Sequence, residues 1–268
     1  MNIYLRASVS IIDDLLDSPP FVPPTSGVKV REVRMGAFWA AVLLEDGRCG
    51  LASALRGDDH HQHGQNPVRG AGHLHQRSAR ELAELGHSGS LLEASIGLAA
   101  INALLDVDEG ACVELNAEQI ILEQGTGKSV VVVGHFPFIP RVREAARQLW
   151  VLEKRPGQGD LPARAAPEVI PQADVVAITG TTLINHSFEE LMGLCRPEAF
   201  VLVLGPTTPL SPVLFNYGVD AISGTLVTDP GTVLRYVSQG ASFRQIKRSK
   251  GVKLLTWLVI RDSQICSS

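Results

Sequence analysis

The chain has 268 residues, 45% of them hydrophobic, 19% charged and 5% aromatic, with a net charge of −4. That length suits one large domain or two modest ones, and the apolar share is too high for a disordered chain. The most apolar long stretch, residues 91–105, contains Glu93 and Asn102 and stops short of the ~20 residues a membrane span needs.

Residues 5–17 carry Leu5, Val9, Ile12 and Leu16 at helical spacing and predict an amphipathic helix. Asp13, Asp14 and Asp17 occupy the region where a signal peptide would be greasy. Ser18, Pro19 and Pro20 end the helix, and the run to Pro24 reads as a stiff linker. Residues 28–34, 37–44 and 49–54 then predict a small antiparallel meander. Asp46-Gly47 joins the last two strands, on the reasoning that a type I′ hairpin turn needs positive φ. Two helices should follow, because Ser78-x-x-Glu81 and Ser90-x-x-Glu93 both fit a capping box. The second, over 91–105, is apolar nearly all round and is expected to be buried.

The pattern changes after residue 124. Residues 130–133 form a β-branched run, the mark of a strand covered on both faces. Further strands are expected at 149–153, 175–179, 200–204 and 221–222. Helical segments are expected at 139–148, near 163–170, near 187–195 behind a third capping box (Ser187-x-x-Glu190), from Ser211-Pro212, and from Asp229-Pro230. Strands separated by helices predict a doubly wound parallel sheet, so the chain divides into an α+β unit (1–124) and an α/β unit (125–268). The charge divides as well. The first unit has 9 Lys/Arg against 17 Asp/Glu, a balance of −8, and the second has 15 against 11, or +4. The basic segment 243–253 lacks the interleaved aromatics of a nucleic-acid surface, so it reads as a solvated face and no nucleic-acid partner is expected. Cys49, Cys112, Cys195 and Cys266 are far apart and read as reduced thiols of a cytoplasmic protein.

Ligands of open α/β sheets bind beyond the carboxyl ends of the strands. Four exits are therefore candidates: Gly134-His135-Phe136-Pro137-Phe138, then Glu153-Lys154-Arg155, then Gly180-Thr181-Thr182 running on to Asn185-His186, and Gly205-Pro206-Thr207-Thr208-Pro209. Glycines permit close backbone approach and threonine hydroxyls suit oxyanions, although Gly, Thr and Pro are also ordinary turn residues. Glu153 lies 19 residues after Gly134, near the spacing of a ribose-binding acid. Phe136 and Pro137 nevertheless stand where a pyrophosphate needs bare backbone, so NAD is not expected. Residues 125–129 resemble the tail of a P-loop but precede a strand, and they read as a turn. His60, His61, His63, His73 and His75 crowd a Gly- and Gln-rich stretch that reads as a surface loop with incidental metal affinity. His135 and His186 stand at strand exits. Each is a candidate metal ligand, acid–base group or anion donor, and equally a cap or packed loop residue.

The quoted loops resemble the putative heavy-metal chelation family, through residues 133–138, 152–156, 180–185 and 205–212. In the first unit the likeness is looser and rests on the meander and residues 96–103. The resemblance implies an enolase N-terminal-like domain followed by a Rossmann-like domain, with a site in the cleft between them. Its implied ligand is a small anionic or metal-chelating molecule, with a divalent metal as the one cofactor left open. Residues 134–136, 180–182, 185, 205, 207 and 208 would then take oxygens, Lys154 or Arg155 would balance charge, and His135 would supply a ligand or proton. The alternative is an enzyme of metallo-cofactor or chelator biosynthesis with His135 and Glu153 as its acid–base pair. No membrane partner is expected, and assembly into a homo-oligomer is left open.

Overall fold

The structure, a computed structural model, describes residues 10–17, 27–57 and 67–259. The expected linker at 18–24, the helix residues 5–9, His60, His61, His63 and Cys266 lie outside the described residues.

The N-terminal region holds helix α1 (Ile11–Asp17), strands β1 (Val30–Met35), β2 (Trp39–Leu44) and β3 (Cys49–Ser53), and helices α2 (Ala79–Ala83) and α3 (Leu91–Leu104). The three strands form the expected antiparallel meander, in the order β1-β2-β3. Its turn differs in type. Only Gly47 has positive φ (93°) there, and its N–H donates to Leu44 O. A type I′ turn would need positive φ at two residues, so the hairpin uses a longer loop closed by a left-handed glycine.

The C-terminal region continues with α4 (Ala117–Gly125), β4 (Ser129–Val133), α5 (Ile139–Ala145), β5 (Gln148–Glu153), β6 (Leu161–Pro162), α6 (Ala166–Val169), β7 (Val175–Thr179), α7 (Thr181–Ile184) and α8 (Phe188–Leu194). It ends with β8 (Phe200–Leu204), a 3-10 helix over Pro212–Tyr217, β9 (Ala221–Val227), α9 (Pro230–Ser238), α10 (Phe243–Arg248) and β10 (Val252–Leu258). Seven strands form one sheet in the order β10-β9-β8-β7-β4-β5-β6. The expectation of a parallel sheet needs correction, because β10 runs antiparallel to β9 and the sheet is mixed. That pairing also lengthens β9 beyond the two residues expected. β9 meets β8 over Ala221–Ser223 only, and β10 holds the rest as a ribbon. The outer side of β10 is met by Val113, which exchanges two backbone hydrogen bonds with Thr256.

Alternation sorts the strand side chains onto two faces. Val130, Val132, Val175, Ala177, Leu202 and Leu204 pack with Ile121 of α4 and Val142 of α5. Val131, Val176, Ile178, Val201 and Val203 pack on the other face with Val169, Phe188 and Leu191. Both faces are covered, which is why these strands read as continuous apolar runs. The second cluster runs on without a break into α1, α2 and α3.

The small sheet is also covered twice. Ala40, Val42 and Leu44 face α3, while Trp39, Ala41 and Leu43 face Val233, Leu234 and Val237 of α9 and Ile246 of α10. The Trp39 indole N–H donates to Ala241 O, 2.9 Å away, and its ring meets Phe243 at 5.5 Å. Helices α9 and α10 therefore complete the core of the small sheet.

Of the three expected capping boxes, Ser78–Glu81 forms. Ser187 instead donates to Asn185 Oδ1, and a box not expected forms between Ser242 and Gln245. Ser90 begins α3 but its hydroxyl donates to Pro67 O, because Glu93 is drawn elsewhere. The buried Glu93 carboxylate accepts from the Arg69 N–H and guanidinium and from Ser88 Oγ (2.6 Å). Burial works to raise its pKa, but the Arg69 and Ser88 hydrogen bonds outweigh it and hold the group at about 2, against an ordinary 4.5.

A depressed carboxylate pKa stabilises the fold fully above its unfolded value, and this contribution is lost as pH falls from about 4.5 toward 2. Glu93→Ala should cost about 1–3 kcal/mol at neutral pH, since it strips buried donors of their acceptor. It should also flatten that acid limb. Urea unfolding of both proteins across this pH range checks each part.

Candidate functional site

The strand order reverses between β4 and β7, so the chain leaves these neighbouring strands in opposite directions and opens a crevice at their carboxyl ends. The β4 and β7 exits adjoin closely. A Cβ built on Gly134 would lie 3.2 Å from Thr179 Cβ, and Gly134 has φ 101°, a conformation suited to glycine. The amides of Gly134, Gly180 and Gly205 themselves donate to Leu152 O, Leu204 O and Ser223 O. Any oxyanion is thus left to donors further along each loop.

At the β4 exit, His135 is 55% exposed at its side chain while its Nδ1 lies 3.1 Å from Asp160 Oδ2. The Asp160 side chain is 4% exposed, and the same oxygen accepts the Gly157 N–H at 3.0 Å. A carboxylate only accepts, so Nδ1 carries the proton in this pair. Sequence reasoning missed Asp160, which lies 25 residues from His135. The visible signal was a Gly157-x-Gly159-Asp160 turn leading into β6, whose parallel pairing carries this turn back to the end of β5. Phe136 stacks on Phe138 with centroids 5.0 Å apart, so its ring is turned toward the protein.

At the β5 exit Lys154 and Arg155 are exposed, and Glu153 is half-buried with Oε2 accepting the Lys154 N–H. The β7 exit, expected as a loop, contains the short helix α7. Thr181 is half-buried, its hydroxyl 3.1 Å from that of Thr179. Thr182 is buried and donates to Thr179 O, and the half-buried Asn185 accepts from Ser187. His186 has φ 57° and its Nε2 donates to Ser88 O at 3.0 Å, spanning from the β7 exit to the N-terminal region.

The β8 exit lies under the N-terminal region. Thr207 Oγ1 accepts the Ser53 N–H and donates to Ser53 Oγ, each at 3.0 Å. Asn102 Nδ2 of α3 donates to both Leu51 O and Thr207 O. Thr208 is buried beside Gly180. The sequence grouped four exits, and the structure leaves the β4 and β5 loops, with Thr181 and Asn185, as their accessible part.

Among the described residues, no three His, Cys, Asp or Glu side chains come together to hold a metal ion. His73 pairs loosely with Gln76, and His75 lines a hollow of about 170 Å³ on β1 with Arg31 and Glu32, not at the carboxyl edge of the large sheet. Cys49, Cys112 and Cys195 are free thiols, and burial pushes Cys49 up to about 12 and Cys195 to about 11, too high for thiolate chemistry. In the basic segment, Lys253 pairs with Glu109 at 2.9 Å. Among the described residues no helix is long and apolar enough to cross a membrane.

Two family models, both described as "Putative heavy-metal chelation", match the chain, one over residues 116–256 and the other over residues 23–105. An uncharacterized protein of Methanocaldococcus jannaschii is 25% identical over 175 residues, covering 62% of this chain and 67% of its own. The crystal structure of a protein of unknown function from Desulfitobacterium hafniense is similar with a TM-score of 0.77 and 28% identity, covering 93% of this chain and 98% of that one. Another, from Pyrococcus horikoshii and also of unknown function, has the same fold with a TM-score of 0.74 and 18% identity over the same shares.

Gly180 is constrained by packing. A Cβ there would lie 2.5 Å from Thr208 Oγ1 and 2.7 Å from Thr208 N. Gly180→Ala should force the β7 and β8 exits apart and cost about 1–3 kcal/mol, read as a lower denaturant midpoint with unchanged slope.

Proposed function

Because the chain belongs to the putative heavy-metal chelation family, we propose that it binds a small anionic or metal-chelating molecule at the β4, β5 and β7 exits. The observation that carries this reading is the exposed imidazole of His135, held from behind by the buried Asp160 beside the switch point. An imidazole aimed by a buried acceptor is oriented for a ligand rather than for packing. Lys154 and Arg155 supply positive charge for an anion, and Thr181 and Asn185 supply polar contacts. In this reading the N-terminal region, of the enolase N-terminal kind, closes the β8 side of the Rossmann-like sheet, and the ligand lies beside that junction on the open side. Free thiols at Cys49, Cys112 and Cys195 suit a reducing cytoplasm.

A metal is accommodated only in part by these residues. His135 Nε2 is the donor nitrogen that would hold it, and a metal there would supply a Lewis acid to the bound molecule. The same His135–Asp160 pair favours one alternative, an enzyme of metallo-cofactor or chelator biosynthesis in which His135 and Glu153 move protons.

Calorimetry with citrate, a small chelating polyanion, tests the binding reading. Saturable binding that weakens about tenfold in Lys154→Ala, an effect of order 1.4 kcal/mol, is expected. Binding that Lys154→Ala and His135→Ala both leave unchanged would move the site elsewhere.

A further inference from the structure

We propose that Asp160 is a positioning residue that fixes the tautomer of His135, so that the edge offers one neutral nitrogen and receives a metal only together with its own chelating donors. The inference rests on the binding reading above and adds to it the form in which a metal arrives.

Asp160 stands just before β6, in a turn where its Oδ2 accepts the Gly157 N–H and the His135 Nδ1–H. Its side chain is 4% exposed, against 55% for His135, so the carboxylate is held by the protein while the ring faces outward. With the proton on Nδ1, a neutral imidazole presents its lone pair at Nε2. Nε2 makes no hydrogen bond among the described residues. A carboxylate behind a histidine is the usual outer support of a metal ligand, orienting the ring and raising its basicity.

One imidazole does not make a metal centre. A borderline divalent cation takes four or more donors, whereas among the described residues no three His, Cys, Asp or Glu side chains group together, and Asp160 stands on the Nδ1 side of the ring. Its neighbour at the β5 exit is the exposed Lys154, which repels a bare cation. Both facts fit an anionic chelate with an open coordination position. The ligand brings most of the donors and the negative charge, and the protein brings one nitrogen and the countercharge.

Two measurements separate this proposal from the reading beneath it. Long-range proton–nitrogen correlation, read on the alkaline plateau of the ring's nitrogen shifts, should find the His135 proton on Nδ1 in the unaltered chain. A proton on Nε2 overturns the proposal, and this readout needs no variant. In Asp160→Ala the ring should revert to the Nε2–H form that free imidazole prefers; an unchanged tautomer also overturns it.

The second measurement is calorimetry with nickel nitrilotriacetate and with nickel ion alone. The full chain is used with His60, His61, His63, His73 and His75 changed to Gln, which removes the imidazole-rich stretch as a competing site. The chelate should bind more tightly than the free ion. It should weaken at least tenfold in His135→Ala and by about 10–100-fold in Asp160→Ala. Equal binding of free ion and chelate refutes the claim about donors. Loss in His135→Ala without loss in Asp160→Ala refutes the positioning role and leaves the site intact. Chelate binding indifferent to both substitutions removes the site reading itself.

Discussion

Helix α3 is buried around nearly its whole circumference, and an apolar cylinder of that kind must be walled on every side. The small sheet supplies one wall, α2 and its following turn a second, and α7 with the β8 exit loop a third. Contact is close because side chains are missing where backbones meet. A Cβ on Gly50 of β3 would lie 2.0 Å from Ala99 O, and one on Gly97 would lie 2.0 Å from Gly86 N. Three polar residues interrupt the helix, and each secures a different loop. Glu93 holds Arg69, Ser95 accepts the Leu55 N–H, and Asn102 bridges Leu51 to Thr207. Burying such groups is tolerable only when they are hydrogen-bonded, so each loop's position follows from the helix.

That arrangement decides which strand exits remain open. Asn102 and Ser53 occupy the carbonyl and hydroxyl of Thr207, so the β8 loop serves as a joint between the two parts of the chain. His186 adds to the joint through Ser88 O. The β4 and β5 loops lie farther along the sheet and keep their polar groups accessible. The switch point thus has one closed flank and one open flank, and His135 stands on the open one.

The elements easiest to read were the central strands. β7 and β8 fall on the residues expected, because a strand buried on both faces must be apolar at every position. Edge and capping elements were harder. β10 carries Lys253 and Thr256 and has the look of a solvated tail until β9 pairs with it. The α10 segment looked like bare charge, yet Ile246 packs beneath the small sheet. Glu93 fitted a capping box by spacing, but Arg69 and Ser88 offered the carboxylate more donors than Ser90 did. In each case a partner remote in sequence outbid the local pattern.

The candidate site divides along the same line. Which residue types stand at the strand exits follows from the sequence, since a β-branched run ending in glycine marks the carboxyl edge where ligands collect. So do the opposite net charges of residues 1–124 and 125–268. Tertiary structure alone decided that Thr207 and Thr208 are enclosed while His135 is open, and that Asp160 stands behind its ring. The reason is range. A strand or turn is specified by neighbours within a few residues. The pairing of His135 with Asp160 depends on β6 joining β5, and the closure of the β8 exit depends on a helix a hundred residues earlier in the chain.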